Sequence, residues 1–180
     1  MALKLITANT ALPVALADMK TSLRIDGTER DTEITWAIKG AGQIAAHESG
    51  RQIMQETFEL TLDAFPEALE LTRVPVSSVT SLKYTDTTGS QITMSSALYL
   101  LDTADDFGSA YVVPVFDGTW PDTREVINAV VIRYVAGYAA TSADVSPVDV
   151  ARINSLMALW VDDPTSLYDR LSAINRVFYA

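Results

Sequence analysis

The sequence predicts an α+β fold, with a helical bundle body built from both chain ends and an inserted antiparallel β module. Three observations carry the prediction. Apolar residues recur at i, i+4, i+7 and i+11 in one stretch near each end, Ile34, Ile38, Ala41, Ala45 and then Leu167, Leu171, Ile174, Phe178. That recurrence is the one-sided stripe of a packed helix. Between them the period falls to two: Phe58, Leu60, Leu62 and Ala64 alternate with Thr57, Glu59, Thr61 and Asp63, as in a strand with one buried face. Turn clusters at Thr87-Thr88-Gly89, Asp105-Asp106-Phe107-Gly108 and Asp117-Gly118 cut the rest of the middle into short segments. The expected boundaries are residues 1–50 and 145–180 for the helical body and 51–144 for the β module.

The elements follow in order. Leu16, Met19 and Leu23, just after Pro13, mark a two-turn helix. Beyond a turn at Asp26-Gly27, Thr28 and Asp31 read as a capping box, with Asp in the usual place of Glu. The helix behind that cap is expected over Glu29 to Ser49, ending at Gly50, the residue type that accepts a left-handed conformation beyond a helix end. Gly40 and Gly42 inside it each cost about 1 kcal/mol against Ala, so close packing against another helix is expected there. After the alternating strand come "VSSVTSLKYTD", "SQITM", "ALYLLD", "SAYVVPV" and "INAVVIRYVAG", all short antiparallel strands. Ser146, Pro147 and Asp149 then supply an N-cap, a proline at the first helical position and an acid at the third. Val150, Ile153, Met157 and Trp160 line one face of the helix they open, and a last helix follows Pro164.

Composition narrows the function classes. At 180 residues the chain suits one domain, or one domain carrying an insertion, with a core that folds without staples. It has no cysteine and a single histidine, His47, which excludes disulfide scaffolds and thiolate metal sites and argues against a histidine zinc site or a catalytic triad. The amino terminus lacks a charged leader followed by an apolar run, and no stretch approaches the ~20 apolar residues of a membrane span. A soluble protein made in the cytoplasm is expected, with no membrane partner. A net charge of −10, from 23 acidic and 13 basic residues, is the opposite of the basic footprint that grips nucleic acid through its phosphates. The chain is nevertheless 48% hydrophobic, and part of that surface is expected to be covered by partner subunits.

No phosphate-binding glycine loop, nucleophile elbow or zinc-binding helix is present. His47 has no identifiable catalytic partner and reads as structural. Asp102, Asp105 and Asp106 could offer oxygen ligands to a divalent cation, but they lack the full calcium-loop pattern and read as a solvated turn. No cofactor or metal is expected. Of the tryptophans, Trp36 is ambiguous between core and interface, and Trp160 continues its helix's apolar stripe. Trp120, in "DGTWPDTRE", is either an exposed anchor or part of a small satellite core. Phe178 and Tyr179 lie where chain ends fray unless tied down, which favours docking into a partner.

Taken together, "PVALADMKTSLRIDGTERD", "GRQIMQETFELTLDAFP", "LTRVPVSSVTSLKYTDTTG", "YLLDT", "WPDTREVINAVVIRYVAGY" and "VARINSLMALW" resemble the head-tail connector family of long-tailed bacteriophages, also called adaptor or head-completion proteins. The resemblance covers nearly the entire chain. It is carried by the ordered series Leu23-Arg24-Ile25, Gly50-Arg51, Glu59 to Asp63, Trp120-Pro121 and Ala136-Gly137-Tyr138. Ala15 stands where the family often has a capping Ser, so the first helix should start less firmly. Phe107-Gly108-Ser109 replaces a frequent Pro-Gly-Arg turn, and the stretch after Trp160 matches only loosely.

The resemblance implies a non-enzymatic structural protein of the virion neck. Identical subunits would form a dodecameric ring that docks to the portal, offers its far side to a stopper or tail protein, and lets DNA through without specific binding. Gly40, Ala41, Gly42, Ala45 and Ala46 are the candidates for subunit-subunit packing. Portal contact is placed on the last helix and tail, with Arg170, Arg176, Phe178 and Tyr179 as candidates. The alternative reading is a small soluble bacterial binding module, with a ligand or peptide cleft in the β insertion. A hydrolase using the Asp102 to Asp106 acids is disfavoured, because no general base pairs with them.

Overall fold

The computed structural model describes residues 1–103, 109–165, 169 and 172. The chain divides into two compact units, Met1–Ala8 with Gln55–Gly137 and Asn9–Met54 with Tyr138–Ala180. Helices and antiparallel sheets are both present, as the α+β expectation requires. The first unit is the β unit. Its strands are β1 (Ala2–Thr7), β2 (Glu56–Leu62), β3 (Leu69–Leu71), β4 (Val76–Thr85), β5 (Gln91–Thr93), β6 (Tyr99–Asp102), β7 (Ala110–Pro114) and β8 (Val130–Ala136). They build a five-stranded sheet in the order β1-β2-β8-β4-β5 and a three-stranded sheet in the order β3-β7-β6.

Register explains why the two sheets face each other. Leu60 pairs with Ile132 and Leu82 pairs with the same Ile132, so one inward row crosses β2, β8 and β4 with all three side chains fully buried. On the opposite face Glu59 pairs with Arg133, and their side chains meet at 2.6 Å. The small sheet contributes Leu69, Leu71, Tyr99, Ala110 and Val112 to the same buried cluster. Tyr134 is fully buried in it, and its hydroxyl accepts the Arg73 backbone N–H at 3.3 Å. Burial pushes the Tyr134 phenol above its ordinary range, and burial does the same to Tyr99.

The amino-terminal strand departs from the sequence reading, which assigned residues 1–50 to the helical body. β1 pairs with β2 instead. Residues 138–144 depart in the other direction. Ala139 is buried, its N–H donates to the Ile53 carbonyl at 3.0 Å, and it bridges Met54 within the helical unit.

That unit contains α1 (Leu16–Leu23), α2 (Asp31–Ser49) and α3 (Pro147–Asp162). Ala15 caps α1 without a side-chain bond, as an alanine must. The expected Thr28–Asp31 capping box does not form: α2 starts at Asp31 behind Arg30, with no side-chain cap. The Asp31 carboxylate is taken instead by Lys20 Nζ at 2.6 Å, an ion pair that ties α1 to the start of α2. Gly50 ends α2 with φ 68°, its N–H on the His47 carbonyl. The predicted stripe of Ile34, Ile38, Ala41 and Ala45 is fully buried, and it packs with Met19, Ile153, Met157 and Trp160. The proposed last helix with Leu167, Leu171, Ile174 and Phe178 lies outside the described residues.

The small residues of α2 serve this core. Gly40, Ala41, Gly42 and Ala45 are buried within the chain, and only Ala46 of the expected subunit-packing set is partly exposed. A Cβ on Gly42 would come 2.8 Å from Cγ of Pro13, so the close approach that glycine permits is to the chain's own Pro13.

Two predictions follow from this packing. Gly42→Ala in an ordinary helix gains about 1 kcal/mol, but here the added methyl meets Cγ of a proline ring that can give way only by changing its pucker, and overpacking costs typically 1–3 kcal/mol. Thermal melting should show a lower Tm for this variant; an increase would show that Pro13 yields. The second concerns alkaline pH. A phenol whose folded pKa is raised stays protonated in the native state while the unfolded chain ionises from about pH 10. Its stabilisation is therefore complete below about pH 10 and is lost as pH rises through the folded value. Denaturant unfolding from pH 8 to 11 should show stability falling above about pH 10, and Tyr134→Phe should flatten that fall while losing about 1 kcal/mol at pH 8 with its hydrogen bond.

Candidate interaction surfaces

A polar cluster in the helical unit surrounds Asp149 in the first turn of α3. Ser146 accepts the Asp149 backbone N–H at 3.2 Å and donates its hydroxyl to Oδ2 at 2.8 Å, giving the N-cap that the Ser-Pro-x-Asp order predicts. The Tyr138 hydroxyl also donates to Oδ2, and Arg152 Nη1 lies 3.9 Å from Oδ1. Burial, reinforced by the hydrogen bond to this carboxylate, raises the Tyr138 phenol. Arg51 stands over the Tyr138 ring at 5.5 Å. Two hydroxyls of the same unit thus converge on one carboxylate oxygen, and the cluster fixes the start of α3.

His47 is exposed on the last turn of α2. Asp102 ends β6, whereas Asp105 and Asp106 lie outside the described residues. Among the described residues no group of three or more His, Asp or Glu is placed to hold a metal ion. Asp86 accepts from the N–H groups of Thr88 and Ser90, both at 2.9 Å, and from the Thr88 hydroxyl at 2.7 Å. Those bonds, the hydroxyl's first, hold its carboxyl below the usual range and close the Thr87–Gly89 turn. A surface depression at the carboxyl end of α1 is bordered by Lys20, Arg24 and Asp26, but Lys20 is occupied by Asp31 and the Gly27 carbonyl. Among the described residues no helix is long and apolar enough to cross a membrane.

The tryptophans separate. Trp160 is buried in the helical core, with the Arg30 guanidinium 5.3 Å from its ring. Trp120 stacks on Phe65 at 4.6 Å with ring planes 5° apart and donates its indole N–H to the Glu67 carbonyl at 3.3 Å. Of its two readings, the satellite core is the one observed. Trp36 is 70% exposed on α2, a large apolar face toward solvent.

Sequence reasoning missed two exposed apolar features of the β unit. Phe116 is 99% exposed at the tip of a turn closed by the Gly118 N–H on the Val115 carbonyl at 2.8 Å, with Asp117 at φ 61°. The Asp117-Gly118 signal located this turn without revealing the phenylalanine's orientation. The second is β1, every residue of which is exposed. Arg170, Arg176, Phe178 and Tyr179, the portal-contact candidates, lie outside the described residues.

No protein-family model matches the sequence, and no curated protein matches it. Solved structures do match in fold. The neck of an empty gene transfer agent particle computed with C6 symmetry contains a chain with TM-score 0.75 and 19% identity, covering 96% of this chain and 94% of that one. A chain of the virion of a native gene transfer agent particle gives 0.73 and 21%, with the same coverage. A chain in the neck of the native particle computed with C12 symmetry gives 0.69 and 22%, over 95% and 94%. At these identities the likeness is one of fold, and it spans both units of the chain.

Proposed function

We propose that this chain is a structural, non-enzymatic subunit of the neck of a phage-like particle. Copies of it form a dodecameric ring that docks to the portal, receives a stopper or tail protein on its far side, and gives DNA a passage. The observation that carries this reading is the fold likeness to chains of gene transfer agent necks and virion over at least 95% of the chain. The polar groups described above support it, since they are engaged in caps and turns rather than arranged around a reactive atom.

The charge distribution suggests how such a ring would treat DNA. The β unit holds 12 acidic and 5 basic residues, most of the chain's acidic excess, and among the described residues no charged one is buried. DNA binding is driven largely by the counterions that cationic side chains release from the phosphates. An acidic wall forgoes that gain, so a passing duplex has nothing to adhere to. The ring acts as a docking surface and a non-stick conduit.

Mixing the purified chain with the portal of its own particle should give a stacked ring by electron microscopy, and particles lacking the chain should fail to retain DNA or attach tails. Normal tailed, filled particles in its absence would overturn the proposal. Reversing exposed acids of the β unit, as in Glu67→Lys, Asp122→Lys and Glu125→Lys together, should slow DNA ejection, whereas unchanged kinetics would count against the conduit mechanism.

A further inference from the structure

The two sheets of the β unit share one core, so their outward faces lie on opposite sides of the unit, and those faces carry opposite charge. On the five-stranded sheet, Lys4, Glu59, Arg133 and Ser81 form one outward row across β1, β2, β8 and β4. The row beside it is Ala2, Thr61, Val131, Lys83 and Thr93. Lys4, Lys83 and Arg133 are three of the unit's five basic residues, whereas Glu59 is the one acid in these rows out of 12 in the unit. No residue of either row is buried. Half-buried valines flank the charged row on both sides, Val131 and Val135.

The small sheet presents the opposite sign. Its outward row is Glu70, Tyr111 and Asp102 across β3, β7 and β6, a tyrosine between two acids. Beside it stand Val113 and Leu100, the latter 54% exposed. The three strands hold no basic residue.

We infer that the outward face of the five-stranded sheet packs against the outward face of the small sheet of the next copy. The inference rests on the neck reading and supplies a lateral contact of its ring. Spacing and charge select a second copy as the occupant. Lys4 and Arg133 are two strands apart in their row, and Glu70 and Asp102 are two strands apart in theirs, about 10 Å in each case. Laid face to face, both cations lie over carboxylates, and the Tyr111 hydroxyl, a donor, lies over Glu59. Val131 or Val135 then meets Leu100 and Val113. Duplex DNA fits this face less well, because Glu59 in the middle of the row would oppose a backbone of phosphates that are themselves anionic. Either face meeting its own copy would set like charges together. Two different patches on opposite sides of one unit make the contact heterologous, so it repeats from copy to copy as a closed ring requires.

Charge inversion with rescue tests the contact. One variant carries Lys4→Glu, Glu59→Lys and Arg133→Glu, which keeps opposite charges side by side within the face. A second carries Glu70→Lys and Asp102→Lys. Each should lower the yield of tailed particles at least about tenfold, and all five substitutions in one chain, which restore opposite signs across every contact, should recover it. Folded variants that leave the yield unchanged, or a combined chain that folds without recovering it, would overturn the contact. So would duplex DNA bound by the purified parent chain and released by the first variant alone. If an inverted chain does not fold, or if the parent does not enter particles, cross-linking decides. The second case sinks the neck reading by itself. The chain has no native cysteine, so a concentrated mixture of Ser81→Cys and affinity-tagged Leu100→Cys would be treated with a short bismaleimide. A tagged heterodimer well in excess of both homodimers supports the contact, and its absence overturns it.

Discussion

The β unit depends on one strand's ability to pair on both sides. β8 is registered to β2 along its whole length and to β4 on its other edge, and its inward residues Val130, Ile132, Tyr134 and Ala136 are all fully buried. Strands β2 and β4 are 13 residues apart between Leu62 and Val76, yet they meet only through a strand that arrives much later in the chain. The sheet therefore pays its loop-closure entropy before its central row can form, and non-local pairing of this kind slows folding more than it limits final stability. Once β8 is seated, it fixes which face of β2 and β4 looks inward, since a slip of one residue would turn every inward side chain outward.

The helical unit also waits for a distant partner. The stripe along α2 closes on Ile153, Met157 and Trp160 of α3, and small residues let neighbouring segments come close, as Gly42 does for Pro13. Charged groups at its helix ends are used in pairs: Lys20 with Asp31, and Asp149 with Ser146 and Tyr138. Such partly exposed pairs contribute little net energy individually. Their effect is to define where a helix begins, a matter of register rather than of total stability.

Much of this could be read from residue order. The stripes of α2 and α3, the stop at Gly50, the Ser146 cap and the alternation in β2 all follow from local periodicity and capping chemistry, and all are observed. β1 was missed because both its faces are exposed, so burial imposes no alternation on its composition. The Thr28 cap was expected from spacing, but Lys20 competes for the Asp31 carboxylate across eleven residues, a distance no local pattern reports. The division into two sheets was equally hidden: β6 and β7 look like any other short strands, β3 is too short at three residues for its alternation to stand out, and their partners are set by tertiary pairing. The small residues of α2 were legible as a site of close packing, but sequence alone does not say whether the neighbour is the same chain or another copy.

The acidic excess and the exposed apolar surface of the β unit act on different length scales. Repulsion between copies that each carry −10 reaches about 8 Å at physiological ionic strength and is felt before contact. Apolar attraction begins only when water leaves the interface. A copy of this chain is therefore held apart from its neighbours at low ionic strength, and salt removes the long-range barrier while leaving the contact energy of leucine and tyrosine surfaces nearly unchanged.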